Sequence, residues 1–282
     1  MQFTYEREFT YNRAYRGPIR CIILDWAGTT MDFGCMAPAV VFRKVFEEAG
    51  VPITLEEARI PMGAHKKVHI GLICDIPSVR QRWVETHGAE PTEEDVNRMF
   101  ENFVPMQEAC LSDYSKLIPS TLEVVAECRK RNYKIGSTSG YLPGMLAINQ
   151  ADAEKQGYVP DATFGAGDVK RGRPYAHMVL RNIIELDVSP VQSVVKIDDT
   201  LTGIEEGLNA GCWAVGLAIS GNEVGVPLDE WNAFSDEVKQ KHRDRIYPTM
   251  YQRGAHYVID SIANLMPCLD DIEARLRRGE NP

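Results

Sequence analysis

The stretch Ile22-Ile23-Leu24-Asp25-Trp26-Ala27-Gly28-Thr29-Thr30 decides the fold. Three apolar residues run directly into a carboxylate, then a small residue, then Gly-Thr-Thr. A short apolar run of this kind predicts a strand buried on both faces. Asp25 then falls at the strand's carboxyl end, where open α/β sheets hold their ligands. Gly28 permits a sharp bend or a close approach of the backbone to a bound group. Taken alone, the pattern also fits a strand that ends in an Asx-turn. The flanking sequence separates the two readings.

Upstream, Phe3, Tyr5, Phe9, Tyr11 and Tyr15 alternate in part. They suggest a short strand or extended arm within residues 1–18, or a plain surface extension, with no chemistry assigned. Glu6, Arg7, Arg13 and Arg16 interrupt this segment, so it is not expected to be a signal peptide. Downstream, Val41, Phe42, Val45, Phe46 and Ala49 form an apolar helical stripe closed by Gly50. Thr54-Leu55-Glu56-Glu57 reads as a capping box, which starts a second helix. A third helical stretch covers Ala64 to Ile73. Pro77 and Pro91 punctuate, and Thr92-Glu93-Glu94-Asp95 opens a long helix with an acidic first turn. Residues 34–114 therefore hold helices and no convincing strand.

From residue 119 helices and strands alternate. Helices are expected over 119–131, 142–156, 175–185, 200–210 and 262–276. Strands are expected over 133–137, 162–164, 193–197, 212–217 and 256–259. This predicts an α/β fold, a Rossmann-like, mostly parallel sheet core with an inserted all-helical cap. The core takes residues 1–33 and 115–282, the cap 34–114. Residues 220–250 carry many charges and find no place in this pattern.

Composition narrows the function. The 282 residues carry a net charge of −9, which argues against nucleic acid or an anionic membrane as partner. Seven cysteines occur without a CxxC pair, so neither a disulfide framework nor a zinc site is expected, and a cytoplasmic protein is. No G-x-G-x-x-G follows a strand, which disfavours a nicotinamide oxidoreductase.

Four strand ends or adjoining loops carry polar residues that can converge: Asp25; Ser137-Thr138-Ser139-Gly140-Tyr141; Lys170-Arg171-Gly172-Arg173-Pro174; and Asp198-Asp199-Thr200. Separately, each has a plain reading, an Asp-Asp helix cap or a solvated basic loop. Jointly, carboxylates, hydroxyls and a cation around one crevice suit a phosphoryl group and Mg²⁺.

That ordered set resembles the haloacid dehalogenase-like superfamily. The resemblance implies that Asp25 is a nucleophile accepting a phosphoryl group, and that the helical insertion is a mobile cap. Phosphatases of that superfamily usually carry a second Asp two positions after the nucleophile, which protonates the leaving oxygen. Here that position is Ala27. Without an acid an alkoxide leaves slowly, whereas a carbon leaving group needs only an electron sink, such as a lysine Schiff base. The insertion offers the lysine. In Pro61-Met62-Gly63-Ala64-His65-Lys66-Lys67-Val68-His69, helical spacing puts Met62, Lys66 and His69 on one face. Without that context, Lys66-Lys67 is a solvated helix face.

These segments together resemble the phosphonoacetaldehyde hydrolase family. They are joined by Gly34-Cys35, Ala58-Arg59, Gly172-Arg173-Pro174-Tyr175 and Asp199-Thr200. The resemblance implies a homodimer and hydrolysis of a small phosphonate to acetaldehyde and phosphate. Lys66 would form the imine, Asp25 would attack phosphorus, and His69 would move protons. Mg²⁺ would be held by Asp25, the Ala27 carbonyl and Asp199. Ser139 and Arg173 would hold the phosphoryl oxygens, and Cys35, Met62, His69 and Tyr141 would line the aldehyde end. The family's acidic motif reads Gly-Asp-Thr with a second Asp four positions later. Here Asp198 replaces the Gly and Gly203 the later Asp, so Asp198 is expected to stand in at the metal. A phosphatase or phosphomutase acting on another phosphorylated metabolite, and a non-catalytic phosphate-binding protein, are the competing readings.

Overall fold

The computed structural model describes residues 14–282, so most of the expected aromatic arm, Phe3 to Tyr11, lies outside the described residues. The strands in chain order are β1 (Cys21–Asp25), β2 (Lys134–Ser139), β3 (Ala162–Gly165), β4 (Val194–Asp198), β5 (Trp213–Leu217) and β6 (Tyr257–Ile259). They form one sheet in the order β3-β2-β1-β4-β5-β6, with every neighbouring pair parallel. β1, β4 and β5 are buried at every position, which is why they read as near-continuous apolar runs.

The strand order reverses direction between β1 and β4, the place where doubly wound sheets open a crevice at their carboxyl edge. Register makes the strand ends level there. Leu24 pairs with Ser137 on one side and Ile197 on the other, and Asp25 pairs with Thr138.

Between β1 and β2 lie five helices: α1 (Met36–Glu48), α2 (Leu55–Arg59), α3 (Lys66–Cys74), α4 (Pro77–His87) and α5 (Glu93–Tyr114). No strand is described within 36–114. Their shared core includes Phe42, whose ring stacks on Phe103 at 4.4 Å. The capping box at Thr54 forms as read, and the acidic first turn that opens α5 holds a second one, between Thr92 and Asp95. The sequence reading missed α4 because Pro77 looked like a break. It is instead the first helical residue, where a missing N–H costs nothing.

The chain enters these helices through a tight passage. Asp32, Gly34 and Cys35 all take left-handed backbone conformations, with φ of 53°, 86° and 51°. The Asp32 carboxylate turns back and accepts bonds from the N–H groups of Met36 and Ala37, each at 3.0 Å. It thereby caps α1 in place of Cys35, the residue at the formal cap position.

The remaining helices are α6 (Thr121–Lys130), α7 (Pro143–Lys155), α8 (His177–Glu185), α9 (Leu201–Ala210), α10 (Leu228–Ala233), α11 (Asp236–Gln252) and α12 (Leu265–Arg278). α10 and α11 account for most of the segment that the sequence left unplaced.

Candidate active site

The carboxyl ends of β1, β2 and β4 face the start of α3 across a small cavity. Asp25, Ala27, Cys35, Pro38, Met62, Gly63, Lys66, Ser139, Gly140, Tyr141, Arg173 and Thr200 line it. Its volume is about 20 Å³, room for roughly one water on the measure where a water needs 10–15 Å³. Six parts of the chain converge there: the β1 turn, the entry to α1, the α2–α3 segment, the end of β2, the loop before α8 and the turn after β4.

The β1 turn is shaped for approach. Thr30 donates its hydroxyl to the Asp25 carbonyl at 3.0 Å, which tightens the loop over the strand end. Gly28 has φ of 85°, and a Cβ there would lie 2.3 Å from a carboxylate oxygen of Asp199. Only glycine lets the β1 and β4 ends meet. A second close approach is made at Gly63, where φ is 90° and a Cβ would lie 2.3 Å from the Thr202 hydroxyl. Thr202 donates to the Met62 carbonyl at 3.3 Å, so the α2–α3 segment rests directly on the turn after β4.

Three buried carboxylates meet at the strand ends. Ligand oxygens of Asp25, Asp198 and Asp199 lie within 4.8 Å of one another. Their surroundings differ. Asp198 accepts bonds from Lys196 Nζ at 2.6 Å, the Thr200 N–H at 3.0 Å and the Thr200 hydroxyl at 2.7 Å, and pairs with Arg173 at 3.1 Å. Asp198 keeps its carboxyl below the ordinary range despite burial, because Arg173 and Lys196 favour the charged form. Among the described residues Asp199 accepts only from the Thr29 hydroxyl at 3.3 Å and the Asn222 N–H at 2.8 Å. Burial and the repulsion of Asp25 and Asp198 push it well above the carboxylate range. Asp25 is pushed up as well, by burial against the pull of Arg173. Hard, buried oxygen donors short of positive charge fit a small divalent cation.

The Asp198–Gly203 exchange has a steric logic. A Cβ at Gly203 would fall 2.0 Å from the Asp198 carboxyl carbon. The Asp198 carboxylate fills the space that a side chain at 203 would enter, so Asp198 in this position requires glycine at 203.

Arg173 is nearly sealed. It donates to Asp25 at 2.5 Å through Nη2, to the Thr138 hydroxyl at 3.0 Å, and through Nε to Glu206 at 3.1 Å. These anions hold the guanidinium permanently charged. Ser139 accepts from the Tyr141 N–H at 3.1 Å, which leaves its hydroxyl proton free to donate into the cavity.

Lys66 is the first residue of α3 and is 3% exposed. Its Nζ stands 4.9 Å from the Tyr141 ring centroid and 5.6 Å from that of Phe42. No salt bridge reaches it among the described residues. Burial pulls its pKa down from 10.5 to about 8. The neighbouring Lys67 points away and pairs loosely with Glu93 at 3.9 Å.

His69 sits apart from the cavity lining. Its ring stacks on Phe42 at 3.8 Å, and Nε2 lies 2.8 Å from the Ala58 carbonyl. That contact assigns the proton to Nε2 and leaves Nδ1 as a buried lone pair without a partner. Burial and Lys66 hold the imidazole neutral. Lys66 and His69 share α3 as read, but Met62 lies in the turn before the helix, and Phe42 contacts both the Lys66 and His69 side chains where the sequence suggested direct access.

Several residues of the site escaped the sequence reading. Lys196 and Glu206 are fully buried beneath Arg173 and Asp198, and Asn222 holds Asp199. Lys196 left a signal, a charge inside the apolar run Val194-Val195-Lys196-Ile197, which requires a buried partner. Glu206 and Asn222 left none, because each reads as an ordinary helix or turn residue.

Comparison with known proteins follows the geometry. A family model for haloacid dehalogenase-like hydrolases matches residues 19–211. A phosphonoacetaldehyde hydrolase of Hahella chejuensis is 45% identical over 274 residues, 97% of this chain and 93% of that protein. One from Vibrio cholerae is 43% identical over 267 residues, 94% of this chain and 98% of that protein. The crystal structure of a phosphonoacetaldehyde hydrolase-like protein from Oleispira antarctica superimposes with a TM-score of 0.95 at 42% identity, covering 98% of this chain and all of that one. The chain therefore belongs to the haloacid dehalogenase-like hydrolases and, within them, to the phosphonoacetaldehyde hydrolase family.

Proposed function

We propose that this protein hydrolyses the C–P bond of phosphonoacetaldehyde to acetaldehyde and phosphate, with Lys66 as electron sink and Asp25 as phosphoryl acceptor. One observation carries the mechanism. A buried amine with pKa near 8 lines the same small cavity as a strand-end carboxylate, while the position of the usual leaving-group acid offers only the Ala27 methyl. A phosphate ester has no acid to assist it here; an aldehyde has an amine.

The neutral Lys66 amine adds to the aldehyde carbon and water is lost, giving a protonated imine two bonds from phosphorus. An Asp25 oxygen then attacks phosphorus. The C–P electron pair moves into the iminium to form an enamine, and the phosphoryl group rests on Asp25. Water cleaves the acyl phosphate, releasing phosphate. Protonation of the enamine and hydrolysis of the imine release acetaldehyde and restore the lysine. Arg173 and the Ser139 hydroxyl hold the phosphoryl oxygens. Cys35, Met62 and Tyr141 give the aldehyde end an apolar wall that keeps water off the imine. His69, neutral and stacked on Phe42 outside the cavity lining, supports the wall.

Asp25, the Ala27 carbonyl and Asp199 would hold Mg²⁺, with Asp198 fixing the outer side of the cluster. The ion would screen the carboxylates from the incoming dianion and draw charge from the phosphoryl oxygens.

The cavity is too small for a phosphonate, so residues 34–114 act as a cap that opens to admit it. Ile60, Val68 and Leu72 expose an apolar face on this cap, suited to a homodimer in a cytoplasmic enzyme. Among the described residues no helix is long and apolar enough to cross a membrane. The test is reduction by borohydride in the presence of phosphonoacetaldehyde. An ethyl or phosphonoethyl adduct on Lys66 supports the reading, and unmodified Lys66 overturns it.

A further inference from the structure

Arg59 closes α2, and its guanidinium folds inward rather than out to solvent. Nη1 donates to the carbonyls of Gly34 at 2.8 Å and Cys35 at 3.3 Å, and to the Asn222 side-chain oxygen at 3.3 Å. Nη2 donates to the Gly225 carbonyl at 3.0 Å. The Asn222 amide returns a bond to the Arg59 carbonyl at 3.3 Å. None of the salt bridges among the described residues includes Arg59. Its charge is spent on carbonyl dipoles from two segments, 34–35 and 222–225, which a planar fork can reach at once.

The loop that receives it is built around it. Gly225 has φ of 69°, and a Cβ there would lie 2.5 Å from Arg59 Nε. The same loop supports the catalytic turn. The Ser220 hydroxyl donates to the Gly28 carbonyl at 2.8 Å, and the Gly34 N–H donates to the Ser220 carbonyl at 2.7 Å. The backbone N–H of Asn222 is one of only two donors to Asp199 among the described residues, at 2.8 Å. One continuous set of bonds thus runs from the 34–35 passage through Arg59 and Asn222 to Asp199. Arg59 lies seven positions before Lys66 on the same segment.

We propose that Arg59 is a positioning residue: its clasp on Asn222 and Gly225 holds the helical cap closed and sets Asp199, so that delivery of Lys66 and completion of the acidic cluster are one event. This rests on the reading of Asp199 as a metal carboxylate and of residues 34–114 as a cap. It adds a coupling between them. An isolated contact would hold the cap without touching the cluster, and a merely structural arginine would affect neither once the protein is folded.

The experiment uses Arg59→Lys, Arg59→Met, Asn222→Ala and the Arg59→Met/Asn222→Ala double variant of the full chain. Mg²⁺ binding is measured by titration calorimetry without substrate, and cap opening by the rate of limited proteolysis near residues 34–36. Arg245→Ala, whose side chain donates to the adjacent Glu223 carbonyl, is the control. The expected result is Mg²⁺ binding weakened about tenfold in Arg59→Met and Asn222→Ala, with faster cleavage in both. The double variant should be little worse than either single one, the mark of a shared contact. Arg59→Lys should fall between wild type and Arg59→Met, and it serves if the methionine variant does not fold. Unchanged Mg²⁺ binding with faster cleavage, or effects of the two substitutions that multiply, overturns the proposal. Neither readout needs turnover. Failure of the clasp is therefore distinct from failure of the C–P hydrolase reading, which a wild-type assay for acetaldehyde decides.

Discussion

Lys66 gives the most demanding prediction, because its chemistry and its cost have one origin. The amine is buried beside two aromatic rings, and burial brings its pKa from 10.5 to about 8. At pH 7 the free-amine fraction is then about one in ten, against about one in 3,000 for an unperturbed lysine, a gain of roughly 300-fold in nucleophile. The rate of borohydride trapping with phosphonoacetaldehyde should rise tenfold per pH unit below 8 and level off above it. Lys66→Ala should trap nothing. A trapping profile still climbing past pH 10 would refute the assigned environment of Lys66, even if the adduct forms.

The same shift predicts stability. The unfolded chain binds a proton at Lys66 up to pH 10.5 and the folded chain only up to about 8. Between those values the unfolded state holds more protons, so stability rises with pH across that window. Below pH 8 the full cost is present, up to about 3 kcal/mol from the size of the shift. Lys66→Met removes the charge and keeps the apolar stem. It should abolish turnover while raising thermal stability at pH 7, and the gain should shrink as pH approaches 10.5. Denaturant melts at pH 7 and pH 10 measure it. A Lys66→Met protein less stable than wild type at pH 7 would mean that the ammonium has a partner the geometry does not show.

Three further outcomes follow from particular contacts. Asp25→Asn should lower acetaldehyde release by about a thousandfold or more, yet leave Lys66 trappable, because imine formation precedes phosphoryl transfer; mass spectrometry of the trapped variant checks it. Gly203→Asp forces a side chain to within 2.0 Å of Asp198 and should cost about 1–3 kcal/mol by overpacking. Adding Asp198→Gly should return most of that loss, and a double variant no more stable than the single one in thermal melts argues against the exchange. Glu206→Gln should keep the fold but loosen Arg173, whose Nε it binds at 3.1 Å. Inhibition by inorganic phosphate should weaken about tenfold, and unchanged inhibition would show that Asp25 and Thr138 alone aim the guanidinium.

Much of the fold was legible because local and global signals agree. The apolar run before Asp25, the Thr54 capping box, the acidic turn after Thr92 and the strand–helix alternation after 119 each specify an element without tertiary help. The convergence of Asp25, Ser139, Arg173 and Asp198-Asp199 was legible from topology, since a parallel sheet brings all strand ends to one edge. What stayed hidden depends on distance. Nothing local shows that Phe42 contacts both Lys66 and the His69 ring, or that Asn222 donates to a carboxylate 23 positions earlier. Pro77 misled because a helix-starting proline and a breaking proline look alike until the next turn is seen. Gly203 could be noticed as a departure, but its meaning required the 2.0 Å overlap with Asp198.

The buried charges explain why the lysine arrives on a separate element. Four carboxylates, Asp25, Asp198, Asp199 and Glu206, stand against two cations, Arg173 and Lys196, all within the sheet's carboxyl edge. Each cation already pairs with at least two of those anions. A third cation, a lysine fixed on the same strands, would be drawn to the surplus carboxylates, and its pKa would rise with the attraction. It would then be a poor nucleophile toward an aldehyde. Carried on α3, Lys66 faces Phe42 and Tyr141 instead, where burial outweighs the pull of Asp25. A divalent ion at Asp25 and Asp199 would reduce that pull further. Under the proposed mechanism, nucleophile and electron sink need opposite electrostatic surroundings around one cavity. A lysine carried on α3 over a charged sheet edge would meet both needs, whereas one held among the strand-end carboxylates would not.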